Sequence, residues 1–438
     1  MNYYSTNGDA SIADLRKAVV KGLAEDKGLY MPETIKKLPK VFYDEIQNLT
    51  FQEIAYNVAS AFFGEDVDGD ALQDIVYDTL SFDCPVVKVT DNIYSLELFH
   101  GPTLAFKDVG ARFMARLLRY FTQNTRNTKG NPINVLVATS GDTGSAVANG
   151  FLGVSGIHVY VLYPKGKVSP IQECQFTTLG KNITAIEVDG VFDDCQALVK
   201  SAFMDEALNQ HMKLTSANSI NVARFLPQAF YYFHAYAQMK RSGLTNHPLV
   251  VCVPSGNFGN ICAGLFAKQM GLPIERFIAA NNANSVFYEY LQTGEYQPRP
   301  SVQTIANAMD VGAPSNFARV YDLYHKEYKA ICQDISGATY SDAQIADTMR
   351  EVYQQTGYVC DPHGACGYRA LAEGLRDDEM GVFLETAHPA KFKTTVDNIL
   401  GTDIEIPAKL QAFMRGTKQS VQMTKSFDDF KAYLMQQP

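Results

Sequence analysis

After Asn92, short apolar runs of strand length alternate with longer stretches whose apolar positions recur at helical spacing. That alternation predicts a parallel-sheet α/β architecture, because a parallel strand is reached only through a crossover segment, usually a helix. Ile133 to Thr139, Ile157 to Tyr163 and Ile183 to Val188 read as strands, with helices over Ser145 to Phe151, after Pro170 and after Asp193. They compose one small βαβαβα domain. A second series begins after Thr215, with a helix over Asn221 to Met239 broken at Pro227. It continues with strands at Leu249 to Pro254 and Phe277 to Asn281, separated by a helix over Ile261 to Met270 that Gly271 and Pro273 stop. The expected fold class is therefore α/β, two parallel-sheet modules on one chain, without heptads or short-period repeats.

The opening region differs in being mainly helical. Ser11 reads as an N-cap with Asp14 three residues on, Ile12, Val19 and Leu23 fall at helical spacing, and a second helix covers Thr50 to Phe63. The expected organisation is a helical region over 1–95, a lysine-bearing segment of the large domain over 96–132, a small α/β domain over 133–213, the large α/β domain over 214–400 and a helical tail over 401–438.

A length of 438 residues allows several cores, and 46% hydrophobic with 19% charged residues is ordinary globular composition. The formal net charge of -9 and the lack of a dense Lys/Arg block argue against nucleic acid or an anionic membrane as partner. The start carries no basic region with an apolar core behind it, and no apolar run approaches bilayer-spanning length, so a cytoplasmic protein is expected. The eight cysteines form no Cys-x-x-Cys pair and lie at apolar positions such as Cys252 and Cys262, as buried thiols in a reducing compartment would. Cys360 to Cys366, with His363 between them, fits no common zinc spacing, and Gly64 to Asp70 lacks the bidentate Glu of a calcium loop. No metal is expected.

Chemistry concentrates at His100 to Arg112, where Lys107 stands between Phe106 and Asp108 at a helix start. A lysine amine, ordinarily with a pKa of about 10.4, serves as a covalent catalyst once its pKa falls or it is tied up as an imine. The same three residues also read as a surface ion pair. Two strand, glycine loop, helix junctions follow, at Ser140 to Gly144 and at Ser255 to Asn260, and each can aim backbone N–H groups and a positive helix end at an anion. Neither is a Walker loop or a dinucleotide fingerprint. Ser169-Pro170, with Gln172 completing a capping box and Lys165 and Lys167 upstream, is a third anion-receptive junction. Ser216 to Arg224 is a fourth, offering hydroxyls, amides and a guanidinium. Taken singly, each junction also reads as capping and surface charge.

In family order along nearly the whole chain, these segments resemble threonine synthases of the shorter microbial type, within the pyridoxal-phosphate enzymes related to tryptophan synthase β subunits. The matching stretches are Tyr4-Ser-Thr, Gly28 to Pro32, the Lys107 segment, Ala138 to Gly144, Ser216 to Arg224, Pro254 to Asn260 and Glu385 to Phe392. The resemblance implies fold type II and pyridoxal 5'-phosphate as cofactor, held covalently by Lys107. Ser255, Gly256, Asn257, Phe258 and Gly259 would cradle its phosphate, Thr386 would meet the pyridine nitrogen and Asp142 would contribute to cofactor binding. Thr139, Ser140 and Thr143 would meet the substrate carboxylate, and Arg224, Asn218, Ser216 and Lys167, in that order, the substrate phosphate.

A phosphorylated amino acid bound to this cofactor presents three anions, and the chain offers a receptor for each. The implied reaction takes O-phospho-L-homoserine and water to L-threonine and phosphate by γ-elimination and β-addition of water, a carbon-oxygen lyase reaction closing threonine biosynthesis. The implied partner is this small molecule, and the protein would be a monomer or homodimer. A serine or threonine dehydratase on the same fold would need only two anion receptors, and a silent paralogue would not need Lys107 together with Thr386. Two positions depart from the family pattern. Asn7 stands where an arginine often follows Ser-Thr, and Gly364 and Cys366 interrupt a segment usually written Asp-Pro-His-Thr-Ala-Val. The second departure is expected to alter only packing around His363.

Overall fold

The computed structural model of the chain describes residues 1–123 and 132–437, so the end of the expected 96–132 segment and Pro438 lie outside the described residues. Two compact units emerge, one built from Met31–Phe106 and Phe225–Glu405 with Met1, the other from Asn2–Tyr30, Lys107–Arg224 and Ile406–Pro438.

The first unit holds a six-stranded sheet in the order 335–339, 276–281, 249–254, 380–385, 93–97, 86–88. All pairs are parallel except the last, where Val86–Lys88 runs antiparallel to Ile93–Glu97. The central strand Leu249–Pro254 is buried throughout, which explains its uninterrupted apolar sequence. Asn221 to Met239 divides as the proline predicts: helix Val222–Phe225, a 3₁₀ turn at Leu226–Gln228, then helix Ala229–Arg241. The aromatic run on that last helix packs in the core and also does polar work, since Tyr231 and Tyr232 donate their hydroxyls to Asn260 Oδ1 at 2.6 and 2.7 Å. Thr50 caps helix Phe51–Phe63 in a complete capping box with Glu53. Asp68, in the acidic turn, caps the next helix, Gly69–Thr79.

The second unit holds a five-stranded parallel sheet in the order 421–423, 183–188, 157–164, 133–138, 213–216. Ile133 pairs with Ile157 on one side and Lys213 on the other, which fixes where the strand delivers Thr139. The edge strand Val421–Met423 comes from the C-terminal tail, and Met423, Phe430 and Leu434 join Leu136 and Leu162 in this unit's core. The first helix, Leu15–Lys21, is capped by Asp14 and not by Ser11: the Asp14 carboxylate accepts from Lys17 N at 2.7 Å. The chain cannot enter the helix earlier because Ala13 and Asp14 are still extended, paired antiparallel with Tyr3 and Asn2. Among the described residues no helix is long and apolar enough to cross a membrane.

Candidate active site

In the second unit, strand Ile133–Ala138 ends in a turn that Thr139 organises, its Oγ1 accepting from Gly141 N at 2.9 Å and Gly144 N at 2.8 Å. Gly141 has φ 146°, and a Cβ there would lie 2.6 Å from the Gln172 side chain, so glycine is required twice over. Helix Asp142–Phe151 starts at once. Among the described residues the N–H groups of Ser140 and Thr143 have no acceptor and remain available to an anion. Ser169 caps helix Pro170–Thr177 as its sequence indicates, accepting from Gln172 N at 3.2 Å. The expected capping box does not close. Gln172 instead donates its Nε2 to Asp142 Oδ1 at 2.9 Å, a contact that aims the buried Asp142.

Lys107 opens helix Lys107–Gln123, half-buried, with Nζ donating to Thr143 Oγ1 at 2.9 Å. The amine and the glycine loop thus meet through one hydroxyl. Arg224 is only 2% exposed, and its Nη1 donates to the Lys107 carbonyl at 3.3 Å. Burial lowers its pKa to about 10, opposed by Asp108, so it stays cationic at neutral pH beside the lysine's peptide. Its own carbonyl fills the space over Gly110, where a Cβ would come within 2.2 Å. Ser216 Oγ accepts from Asn218 N at 3.2 Å, and Asn218 Nδ2 reaches the Ala138 carbonyl at 3.4 Å, which brings both to the end of the strand that carries Thr139. Lys167 lies exposed on the turn before Ser169.

In the first unit, strand Leu249–Pro254 delivers Ser255, whose N–H donates to Ala280 O and whose hydroxyl donates to Val253 O, both at 2.8 Å. Gly256 lies against the Ala308 carbonyl, 2.5 Å from where a Cβ would be. Phe258 takes a left-handed conformation at φ 65°, rare for a bulky side chain, and its buried ring packs on Phe287 at 4.7 Å. That bend turns the chain into helix Gly259–Gln269. Among the described residues the N–H groups of Gly256, Phe258 and Gly259 have no acceptor. Several open peptide donors at a helix N-terminus form a phosphate cradle.

Thr386 follows strand Met380–Glu385, and its carbonyl accepts from the N–H of Phe106, the residue before Lys107, at 2.9 Å. It is 7% exposed, and its hydroxyl has no hydrogen-bond partner among the described residues. A ring nitrogen that needs a donor suits it. The residue before it was missed by sequence reasoning. The fully buried Glu385 carboxyl accepts from Asp361 N at 2.6 Å, and burial, then the Asp361 charge, raises its pKa well above the usual 4.5. A Cβ at Gly364 would sit 1.5 Å from Glu385 Oε2. The departure at Gly364 therefore reaches past His363: it makes room for the Glu385 carboxyl group. His363 itself is held at both nitrogens, Nδ1 on Asp361 Oδ2 at 2.6 Å and Nε2 accepting from Ala308 N at 3.1 Å.

In the first unit the N–H cradle and the uncommitted Thr386 hydroxyl fit a phosphorylated pyridine, and in the second unit Lys107 on its glycine loop fits an aldehyde; these are the groups that a pyridoxal-phosphate enzyme requires. A family model described as pyridoxal-phosphate dependent enzyme matches residues 85–385, and those described as threonine synthase N terminus and threonine synthase, C-terminal match residues 2–80 and 364–434. The chain belongs to the threonine synthase family. Threonine synthase from Serratia marcescens is 43% identical over 438 residues, covering 100% of each chain. The crystal structure of threonine synthase from Escherichia coli superposes with a TM-score of 0.93 at 41% identity, again covering 100% of each chain. That of the PLP-bound enzyme from Brucella melitensis gives 0.91 at 33% identity over 99% of each chain. Diaminopropionate ammonia lyase from Escherichia coli, at 16% identity and a TM-score of 0.57 over 80% of this chain and 91% of that one, shares the fold alone.

Proposed function

We propose that the chain converts O-phospho-L-homoserine and water to L-threonine and inorganic phosphate in the cytoplasm, as a monomer or homodimer. The observation that carries the reading is the Lys107 amine on the Thr143 hydroxyl at 2.9 Å, in a chain related over its full length to threonine synthases. Lys107 holds the cofactor, Ser255 to Gly259 take its phosphate, Thr386 meets its ring nitrogen and Asp142 completes the set. Bound there, the cofactor supplies an electron sink that acidifies the substrate's Cα and Cβ positions. A hydroxyl partner at Thr386, rather than a carboxylate, leaves the ring nitrogen largely unprotonated and moderates that pull.

Lys107 removes the Cα proton and then a Cβ proton, and returns one to Cγ after phosphate leaves and one to Cα after water adds at Cβ, with Thr143 keeping the free amine oriented between transfers. Ser140 and Thr143 offer open N–H groups to the substrate carboxylate, on a turn that Thr139 holds in shape. Ser216, Asn218 and Lys167 bind the substrate phosphate and steady it as it leaves Cγ before water adds at Cβ. Arg224 serves this chemistry from behind, fixing the Lys107 peptide with a cation.

The test is the product balance of cofactor-saturated protein on O-phospho-L-homoserine. Equal yields of threonine and phosphate are expected, falling at least about 10³-fold in Lys107→Ala. Formation of 2-oxobutyrate in place of threonine would install the dehydratase reading.

A further inference from the structure

Behind the Ser255 to Gly259 loop lies Arg319, 0% exposed in the core of the first unit. Its Nη1 donates to Asn316 Oδ1 at 2.7 Å, and its guanidinium carbon stands 4.2 Å from the Phe225 ring centre. Asn316 in turn grips Asn257 twice, its Nδ2 donating to the Asn257 carbonyl at 3.1 Å and its backbone N–H to the same oxygen at 3.3 Å. Ser315 N adds a bond to Asn257 Oδ1 at 2.7 Å. The gripped carbonyl belongs to the peptide whose other end is the N–H of Phe258, one of the three donors left open among the described residues. In a planar trans peptide C=O and N–H point opposite ways, so holding the oxygen aims the hydrogen. Hydrogen bonds in series also polarise one another, each donor strengthening the next.

We propose that Arg319 is a positioning residue for the cofactor phosphate, delivering its positive charge through Asn316 and the Asn257–Phe258 peptide to the anion held by the loop. The proposal rests on the reading of Ser255 to Gly259 as the phosphate cradle. Burial draws the Arg319 pKa down to about 9, which leaves it charged at neutral pH. A buried cation is costly by itself and gains when an anion arrives within reach of its field.

Asn316→Asp separates this role from a merely structural one, because the isosteric carboxylate keeps and strengthens the Arg319 contact while cancelling its charge and removing the side-chain donor to Asn257, the backbone donor remaining. Cofactor-free protein would be titrated with pyridoxal phosphate and with inorganic phosphate as competitor, beside thermal melting without ligand. Expected is an affinity loss of about tenfold or more for both ligands, with a melting temperature equal to or above wild type. The ³¹P signal of the refilled variant should also change from dianion to monoanion at a higher pH than in wild type. Arg319→Lys keeps the charge without the planar fork and should lose less affinity. Gly256→Ala is the control for the cradle. Unchanged affinity in Asn316→Asp with weakened affinity in Gly256→Ala overturns the role of Arg319 and leaves the cradle standing. Unchanged affinity in Gly256→Ala overturns the cradle itself. Affinity and melting temperature falling together in Asn316→Asp would make Arg319 a fold residue only.

Discussion

The two glycine loops are close in sequence grammar and opposite in how they use their peptide donors. The loop at 140–144 turns inward, with Thr139 taking two of its N–H groups, while one outside side chain, Gln172, fixes Asp142. The loop at 255–259 is shaped from outside, through Asn316 on Asn257, Tyr231 and Tyr232 on Asn260 and Ala308 against Gly256, and three of its N–H groups are uncommitted among the described residues. A loop that spends donors on itself keeps few for a ligand and suits a small carboxylate beside the Lys107 amine. A loop braced by its surroundings keeps its donors and suits a permanently held phosphate. The lesson is that a strand, glycine loop, helix junction says an anion is welcome, while its hydrogen-bond ledger says how much of one.

Exchanging alanine for one glycine in each loop tests this division most severely. Gly256→Ala drives a methyl into the Ala308 carbonyl and should weaken cofactor binding by about 1–3 kcal/mol, roughly 5- to 150-fold, as overpacking of a fixed backbone does. Gly141→Ala should raise KM for the substrate while cofactor affinity in a titration stays near wild type. The reverse assignment of effects would break the comparison. Next in size, Thr143→Val removes the acceptor of the Lys107 amine, and kcat should fall about tenfold or more while the bound cofactor's absorbance persists.

The smallest expected effect concerns Glu385, beside Thr386. Folded Glu385 holds its proton above the ordinary carboxyl value of 4.5. The stability this confers is therefore present below that value and lost as pH rises through the folded pKa, at a slope of at most about 1.4 kcal/mol per pH unit. Glu385→Gln mimics the protonated acid and should flatten the fall of melting temperature with rising pH. An unchanged slope in the variant would assign the acid-dependent stability elsewhere.

Much of this arrangement was legible in the sequence because apolar periodicity and glycine placement are local signals. The strands at Ile183–Val188 and Leu249–Pro254 fall where the pattern puts them, and the proline at 227 breaks its helix as the loss of an N–H dictates. What escaped was long-range. Ser11 looks like a cap until pairing with Asn2 and Tyr3 keeps the chain extended to Asp14. Gln172 satisfies the capping-box pattern, yet Asp142, thirty residues away in sequence, takes its side chain. The edge strand Val421–Met423 is three residues long, too short for alternation to declare itself. Arg224 reads as a phosphate ligand by residue type, and its hydrogen bond to the Lys107 carbonyl, 117 residues away, is visible only in the fold. Arg319 carries no local motif, Glu385 opens a matching stretch without showing a role, and Gly364 signals its neighbour only through the missing side chain.

The measurement closest to the central claim is borohydride reduction of the cofactor-loaded protein followed by peptide mass mapping. A phosphopyridoxyl adduct is expected on Lys107, in the peptide that begins the helix Lys107–Gln123. An adduct on a different lysine, with Lys107 unmodified, would contradict the claim.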